Sequence, residues 1–259
     1  MNVELGIVVQ ARLGSTRLPQ KIIRPFTNHK SILEIILERF NTPDFQYTQK
    51  ILATSMIDTD FALEKYASKA NYDFFRGNET DVLSRFIGVG EKYRLTHLVR
   101  ICSDNPFLHA PSVKVLMDEL KERIAGAKNT DYLSFQNSRQ IPAIKTHLGL
   151  FAEIVSLNAL KETAAITNES ACHEHVTSFI YENRDRFHVA FLDMPRCVFD
   201  RYDIRLTIDN SSDFELMAKL YEETHSFSDN IERLISYIDS CQSFEYKNMM
   251  IENIKKYSK

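Results

Sequence analysis

The stretch Leu5-Gly6-Ile7-Val8-Val9-Gln10-Ala11-Arg12-Leu13-Gly14-Ser15-Thr16-Arg17-Leu18-Pro19-Gln20-Lys21 decides how this chain reads. It opens with a short, unbroken apolar run, the pattern of a strand buried on both faces. The residues before it carry no basic stretch and no cleavage site, so the N-terminus reads as a strand and not as a signal peptide. The loop that follows packs Arg12, Arg17 and Lys21 together with the hydroxyls of Ser15 and Thr16 and with Gly14 at the expected turn. A polyphosphate needs cationic donors and backbone N–H groups converging on one concave loop, and this segment supplies both. The loop fits neither G-x-x-x-x-G-K-[ST] nor G-x-G-x-x-G, so neither a P-loop NTPase nor a dinucleotide fold is implied. On physics alone, a solvated basic turn is the competing reading.

Outward from that loop, short β-like runs alternate with amphipathic stretches. Strands are expected over 5–9, 51–54, 73–75 and 97–101, and helices over 32–40, 60–70, 80–94 and 111–123. Runs of this kind, each followed by a crossover helix, predict an α/β fold: a Rossmann-like, mostly parallel sheet with helices on both faces. Ligands in such sheets bind beyond the carboxyl ends of the strands, which singles out loops 10–21, 55–58, 76–80 and 102–109. After residue 131 the pattern changes. Strands are expected over 131–135, 148–155, 188–192 and 205–209, helices over 157–163, 175–183 and 212–223, and a charged helical tail over 229–256. No repeat or Gly/Ser linker interrupts the chain. It reads as one compact domain, 1–259, with an inserted α+β subdomain near 135–200.

Composition narrows the classes. Of 259 residues 44% are hydrophobic and 26% charged, the balance of an ordinary globular protein. A formal charge of −3 provides no global basic field for nucleic acid, so any anion site is local. No apolar run is long enough to span a bilayer. Cys102, Cys172, Cys197 and Cys241 are scattered without a C-x-x-C pair, which argues against a disulfide framework or structural zinc and for a cytoplasmic protein. Cys102 reads as a small buried thiol.

The segment Gln10 to Lys21 resembles the signature loop of cytidylyltransferases that make CMP-activated acidic sugars, nearest to the spore coat polysaccharide biosynthesis protein F family and its CMP-KDO synthetase relatives. The resemblance continues through Phe75-Arg76-Gly77-Asn78-Glu79-Thr80-Asp81-Val82-Leu83, Val99-Arg100-Ile101-Cys102-Ser103-Asp104-Asn105-Pro106-Phe107-Leu108, His173-Glu174-His175-Val176-Thr177 and Arg205-Leu206-Thr207-Ile208-Asp209. It implies a magnesium-dependent enzyme that moves CMP from CTP to an anionic acceptor, and a homodimer. By that resemblance Gln10, Ala11, Arg12, Gly14, Ser15, Arg17, Lys21, Arg76, Asp81 and Ser103 meet the nucleotide, and Asp104 and Asp209 hold Mg²⁺. Arg12, Lys21, Asp104 and Asp209 then form the catalytic set.

Alternatives accompany several of these residues. Asp104 and Asp209 each stand at the carboxyl end of an expected strand, where helix N-capping is the competing role. Asp81 could be a first-turn helix acid, with Arg85 its partner four residues on. Asp58-Thr59-Asp60 is formally D-x-D but reads as helix capping. Ser103 departs from the Gly common in the wider family. His173 and His175 stand two apart and so point to different sides, which argues against zinc. Lys145, His147 and His175 are assigned to the acceptor, although Pro142 to His147 departs from the Gly-Leu-Asp-Val-Glu run of many members. The rival functions are a glycosyltransferase consuming a nucleotide-sugar and a non-catalytic nucleotide-binding homologue.

Overall fold

The computed structural model describes residues 3–15, 17–240 and 244–257; Thr16 and Cys241 lie outside them. Seven strands form one sheet: β1 (Leu5–Gln10), β2 (Gln49–Ser55), β3 (Asp73–Gly77), β4 (His97–Cys102), β5 (Tyr132–Gln136), β6 (Glu153–Ser156) and β7 (Val189–Asp193), in the order β3-β2-β1-β4-β6-β5-β7. The first four run parallel, β6 is antiparallel to both its neighbours, and β7 is parallel to β5. The chain builds outward from β1 through β2 to β3 and then returns to place β4 on the other side of β1. The carboxyl ends of β1 and β4 therefore flank a topological switch point, where a crevice opens in sheets of this kind. Residues 135–200 supply β6 and β7 to this same sheet.

The described residues form α1 (Ile32–Arg39), α2 (Glu64–Ala70), α3 (Val82–Lys92), α4 (Ala110–Ala125), α5 (Leu157–Ile166), α6 (Ser170–Glu174) and α7 (Ser178–Glu182) between the strands, and α8 (Ser211–Thr224), α9 (Ile231–Asp239) and α10 (Phe244–Tyr257) after β7. Side chains of β1 alternate between two cores: Ile7 and Val9 pack with α1, α4 and α8, whereas Val8 packs with α3, α5 and α7. Each such fully buried aliphatic contributes roughly 1.5–3 kcal/mol by leaving water, and this fixes the register of the central strand. Local chemistry sets the helix starts. Ser31 and Glu34 form a capping box on α1, Asp81 caps α3, and His109, with Pro111 just inside, caps α4.

Several expected elements come out differently: the helix expected over 175–183 shrinks to α7, with Val176 at φ 47 before it, and the tail divides into α9 and α10. Residues 205–209 are extended but form no strand, because Leu206 and Ile208 donate singly to the carbonyls of His147 and Asp104 in two different loops. The expected strand 148–155 shortens to β6, with Gly149 at φ 62 turning the chain against the Leu206 carbonyl, where a Cβ would stand 3.1 Å away. No helix among the described residues is long and apolar enough to cross a membrane.

Candidate active site

The loop after β1 is held from beneath. Ala11, Leu13 and Leu18 are buried, and the Leu13 amide donates to Asp60 Oδ1 at 2.8 Å. Asp60 Oδ2 accepts from the hydroxyls of Thr54 (3.1 Å) and Ser55 (2.5 Å) at the end of β2. Asp60 is thus a buried anchor. The capping role expected for Asp58-Thr59-Asp60 is incorrect, since the short 3-10 turn Asp58–Leu63 has Ile57 at its N-cap and no side-chain cap. Gly14 is not the left-handed residue of the loop. Gln20, at φ 58, makes that turn, and a Cβ on Gly14 would meet only Glu79 Oε1, at 4.0 Å. Ser15 Oγ accepts from the Leu18 amide, and the amides of Arg12 and Gly14 donate to no protein acceptor among the described residues. The outer face of the loop therefore presents free N–H groups beside the exposed Arg12.

Across the switch point, Lys21 Nζ donates to Asp104 Oδ2 at 3.0 Å and to the Ile208 carbonyl at 2.6 Å. Arg17 Nη2 reaches Asp209 Oδ1 at 2.9 Å, and Arg205 Nη2 reaches Asp209 Oδ2 at 2.7 Å. The loop cations and both carboxylates thus meet in one place. Neither Asp is a cap, because α4 and α8 take His109 and Asn210. Burial would raise the Asp209 carboxyl, but the Arg205 hydrogen bond and the Arg17 charge hold it below the usual carboxylate range. Arg205 is itself fully buried, gripped through Nε and Nη2 by Asp213, which also accepts from Asn253 of α10 at 2.9 Å. Sequence reasoning missed Asp213 and Asn253. Asp213 looks like an ordinary first-turn acid of α8, and Asn253 stands 40 residues away.

Asp104 and Asp209 form one rim of a cavity of about 730 Å³ that continues past Arg100, Cys102, Lys145, His147, His175 and Tyr181. Arg100 is held between two partners. Its Nε donates to Gln10 Oε1 at 3.2 Å and its Nη1 to Glu153 Oε1 at 2.5 Å, directly across the β4–β6 pairing. Glu153 also accepts from the hydroxyls of Tyr132 (2.6 Å) and Thr177 (2.9 Å). Burial opposes the guanidinium charge, but Glu153 beside it leaves the Arg100 pKa raised. Val176 sits at φ 47, an uncommon conformation for a β-branched side chain, between His175 on the cavity wall and Thr177 on Glu153.

Of the residues assigned to the acceptor, all three line this cavity. Lys145 is half-exposed and already paired with Glu182 at 2.5 Å, while His147 Nδ1 accepts from Arg205 Nη1 at 2.7 Å. Cys102, expected to be fully buried, is partly open to the cavity, with burial raising its thiol pKa. Three residues assigned to the nucleotide hold the framework. Ser103 is buried, and its amide donates to the Gln10 carbonyl. Arg76 donates to the carbonyls of Ser55, Met56 and Ile57 at the end of β2. Asp81 caps α3 and pairs with His173 Nδ1 at 2.9 Å, which ties α6 to α3. Arg85 does not take Asp81 as its side-chain partner. It lies buried against Gly77 and donates to the carbonyls of Asn78 and Glu79. No cluster of three or more His, Cys, Asp or Glu side chains suited to a metal occurs among the described residues.

The sequence and the fold both have known relatives. The spore coat polysaccharide biosynthesis protein SpsF of Bacillus subtilis is 32% identical over 224 residues, covering 85% of this chain and 87% of its own. A cytidylyltransferase from Leptospira borgpetersenii serovar Hardjo-bovis superposes with a TM-score of 0.71 at 28% identity, covering 98% of this chain and 95% of that one. A CMP:2-keto-3-deoxy-manno-octonic acid synthetase solved with CTP shares the fold, with a TM-score of 0.62 at 14% identity over 85% of this chain and 99% of its own. The cytidylyltransferase family model matches residues 6–251, and the chain belongs to that family.

Proposed function

We propose that this protein transfers CMP from CTP to an acidic sugar and releases pyrophosphate. The observation that carries the reading is the meeting, at the β1/β4 switch point, of a cationic loop with free amides and two carboxylates on the rim of a sugar-sized cavity. In the reaction, an acceptor hydroxyl oxygen bonds to the α-phosphorus as the bond to the α,β-bridging oxygen breaks. The electron pair leaves with pyrophosphate, and the hydroxyl proton passes to water at the cavity mouth. Charge grows on the phosphoryl oxygens, so catalysis rests on placement and electrostatics. Arg12, Arg17, Lys21 and the amides of Arg12 and Gly14 would receive the triphosphate.

Asp104 and Asp209 suit Mg²⁺. They offer hard oxygen donors, and a phosphate-bound Mg²⁺ takes only one or two protein carboxylates. When bound, the ion would neutralise charge on the phosphoryl oxygens. Lys21 and Arg17 are then free to turn from the carboxylates to phosphates. The glycosyltransferase alternative loses support here, because the Asp60 of its D-x-D is buried beneath the loop.

Calorimetry with the four nucleoside triphosphates and Mg²⁺, followed by pyrophosphate release with sugar acids, tests the reading. CTP should bind tightest. Tighter binding of ATP or UTP would refute the base assignment.

A further inference from the structure

We infer that Arg100 is the residue that reads the acceptor's carboxylate; this deepens the CMP-transfer reading above and rests on it. A guanidinium presents its nitrogens as a rigid planar fork. Two of the three are spent on the protein, Nε on Gln10 and Nη1 on Glu153. Nη2 has no partner among the described residues, yet it is absent from the buried partnerless atoms, so it is open to a visitor. Arg100 lines the cavity described above. The side chain is only 8% exposed, and its plane is fixed by register-paired Glu153, which Tyr132 and Thr177 hold in turn. Such a preset donor suits a carboxylate through charge-assisted hydrogen bonds. Of the other candidates, Lys145 and His147 are engaged by Glu182 and Arg205, and His175 offers a single imidazole rather than a planar fork. Asp104 and Asp209 stand on the rim of the same cavity. An acceptor whose carboxyl-bearing carbon also carries the reacting hydroxyl would seat its carboxylate on Arg100 and turn that hydroxyl toward the phosphoryl group. The chemical class that fits is a 2-keto-3-deoxy sugar acid in its cyclic form.

The test uses eight- and nine-carbon 2-keto-3-deoxy sugar acids, their primary amides and neutral hexoses, with pyrophosphate release as the readout and calorimetric CTP affinity beside it. The wild type should turn over an acid at least about 10-fold better in kcat/KM than its amide, the scale of one hydrogen bond to a charged group. Arg100→Lys keeps a charge opposite Glu153 but loses the fork. The double variant Arg100→Gln, Glu153→Gln removes both charges and so orphans neither. Each should raise KM for the acid about 10- to 100-fold, erase the preference for acid over amide, and leave CTP affinity unchanged. Should the double variant fail to fold, Arg100→Lys decides alone. An unchanged acid-to-amide ratio in a folded variant overturns the assignment, since a structural role would predict that. So does a wild type that binds CTP yet prefers neutral hexoses or uses none of the acids. A wild type that does not bind CTP would instead bring down the CMP-transfer reading itself.

Discussion

Asp60→Ala should both destabilise the protein and loosen its grip on nucleotide. The carboxylate is 2% exposed and accepts from the Leu13 amide at 2.8 Å and from two hydroxyls, of Thr54 and Ser55. Alanine leaves that amide buried without a partner, at about 1–3 kcal/mol, while the hydroxyls can rotate toward other acceptors and lose less. A total of about 3 kcal/mol is expected, which for a chain of this size lowers the thermal midpoint by roughly 6–12 °C. Asp60→Asn keeps an oxygen for Leu13 N and should cost only about 1 kcal/mol, the difference between a charged and a neutral acceptor. Since Leu13 sits between Arg12 and Gly14, the same change should weaken CTP binding more in the alanine variant than in the asparagine one. Thermal melts and calorimetry on the three proteins check both effects. If Asp60→Ala melts with the wild type and binds CTP equally well, the loop is not anchored through Asp60 and the reasoning fails.

Asp104→Asn and Asp209→Asn should each cut kcat by an amount on the order of 3–4 kcal/mol in barrier, with the fold intact by circular dichroism; near-normal turnover at limiting Mg²⁺ would remove the metal role. His173 is raised by its hydrogen bond to the Thr167 carbonyl and by Asp81, so the stability it lends is full below its unfolded pKa of about 6.5 and fades as pH rises through the higher folded value. The melting gap between wild type and His173→Gln should therefore be present at pH 6 and close by about pH 9. Lys145→Ala removes a half-exposed pair with Glu182 and should change stability by no more than about 1 kcal/mol, with acceptor KM near wild type; a tenfold rise would return the carboxylate to Lys145.

The sheet was legible because its signals are local: Ile7-Val8-Val9 is a run, and Asp81, Ser31 and Pro111 punctuate helices within a turn of themselves. The cationic loop was legible for the same reason. What stayed hidden are the groups that hold the site in place, since each acts across the chain. Asp60 holds Leu13 from 47 residues away, Glu153 holds Arg100 from 53, and Asn253 reaches Asp213 from 40. Local reading gives such residues a local job, as it gave Asp60 a cap, or passes over them, as it did Asp213. Arg205 to Asp209 looked like a strand because Leu206 and Ile208 alternate with polar neighbours. The alternation is real, and both are fully buried, but their partners are loops and not a ladder.

These long-range contacts share one electrostatic logic. Arg100, which lines the cavity, and Arg205, which lies behind His147 and Asp209, are each held by a buried carboxylate, Glu153 and Asp213, that hydrogen bonds from neighbouring side chains fix in turn. The exposed cations of the loop have no such backing. Among the described residues, Arg12 donates to no side chain, and Arg17, 54% exposed, has only Asp209 as partner. Removing a buried partner strands a charge and costs several kcal/mol, whereas a surface pair exchanges partners for about 1 kcal/mol or less. The buried arginines are therefore fixtures that set geometry, and the loop cations are the movable charges that can follow a triphosphate. An enzyme that must hold a sugar acid still while a phosphoryl group shifts charge toward pyrophosphate needs that division, rigid on the acceptor side and adaptable on the phosphate side.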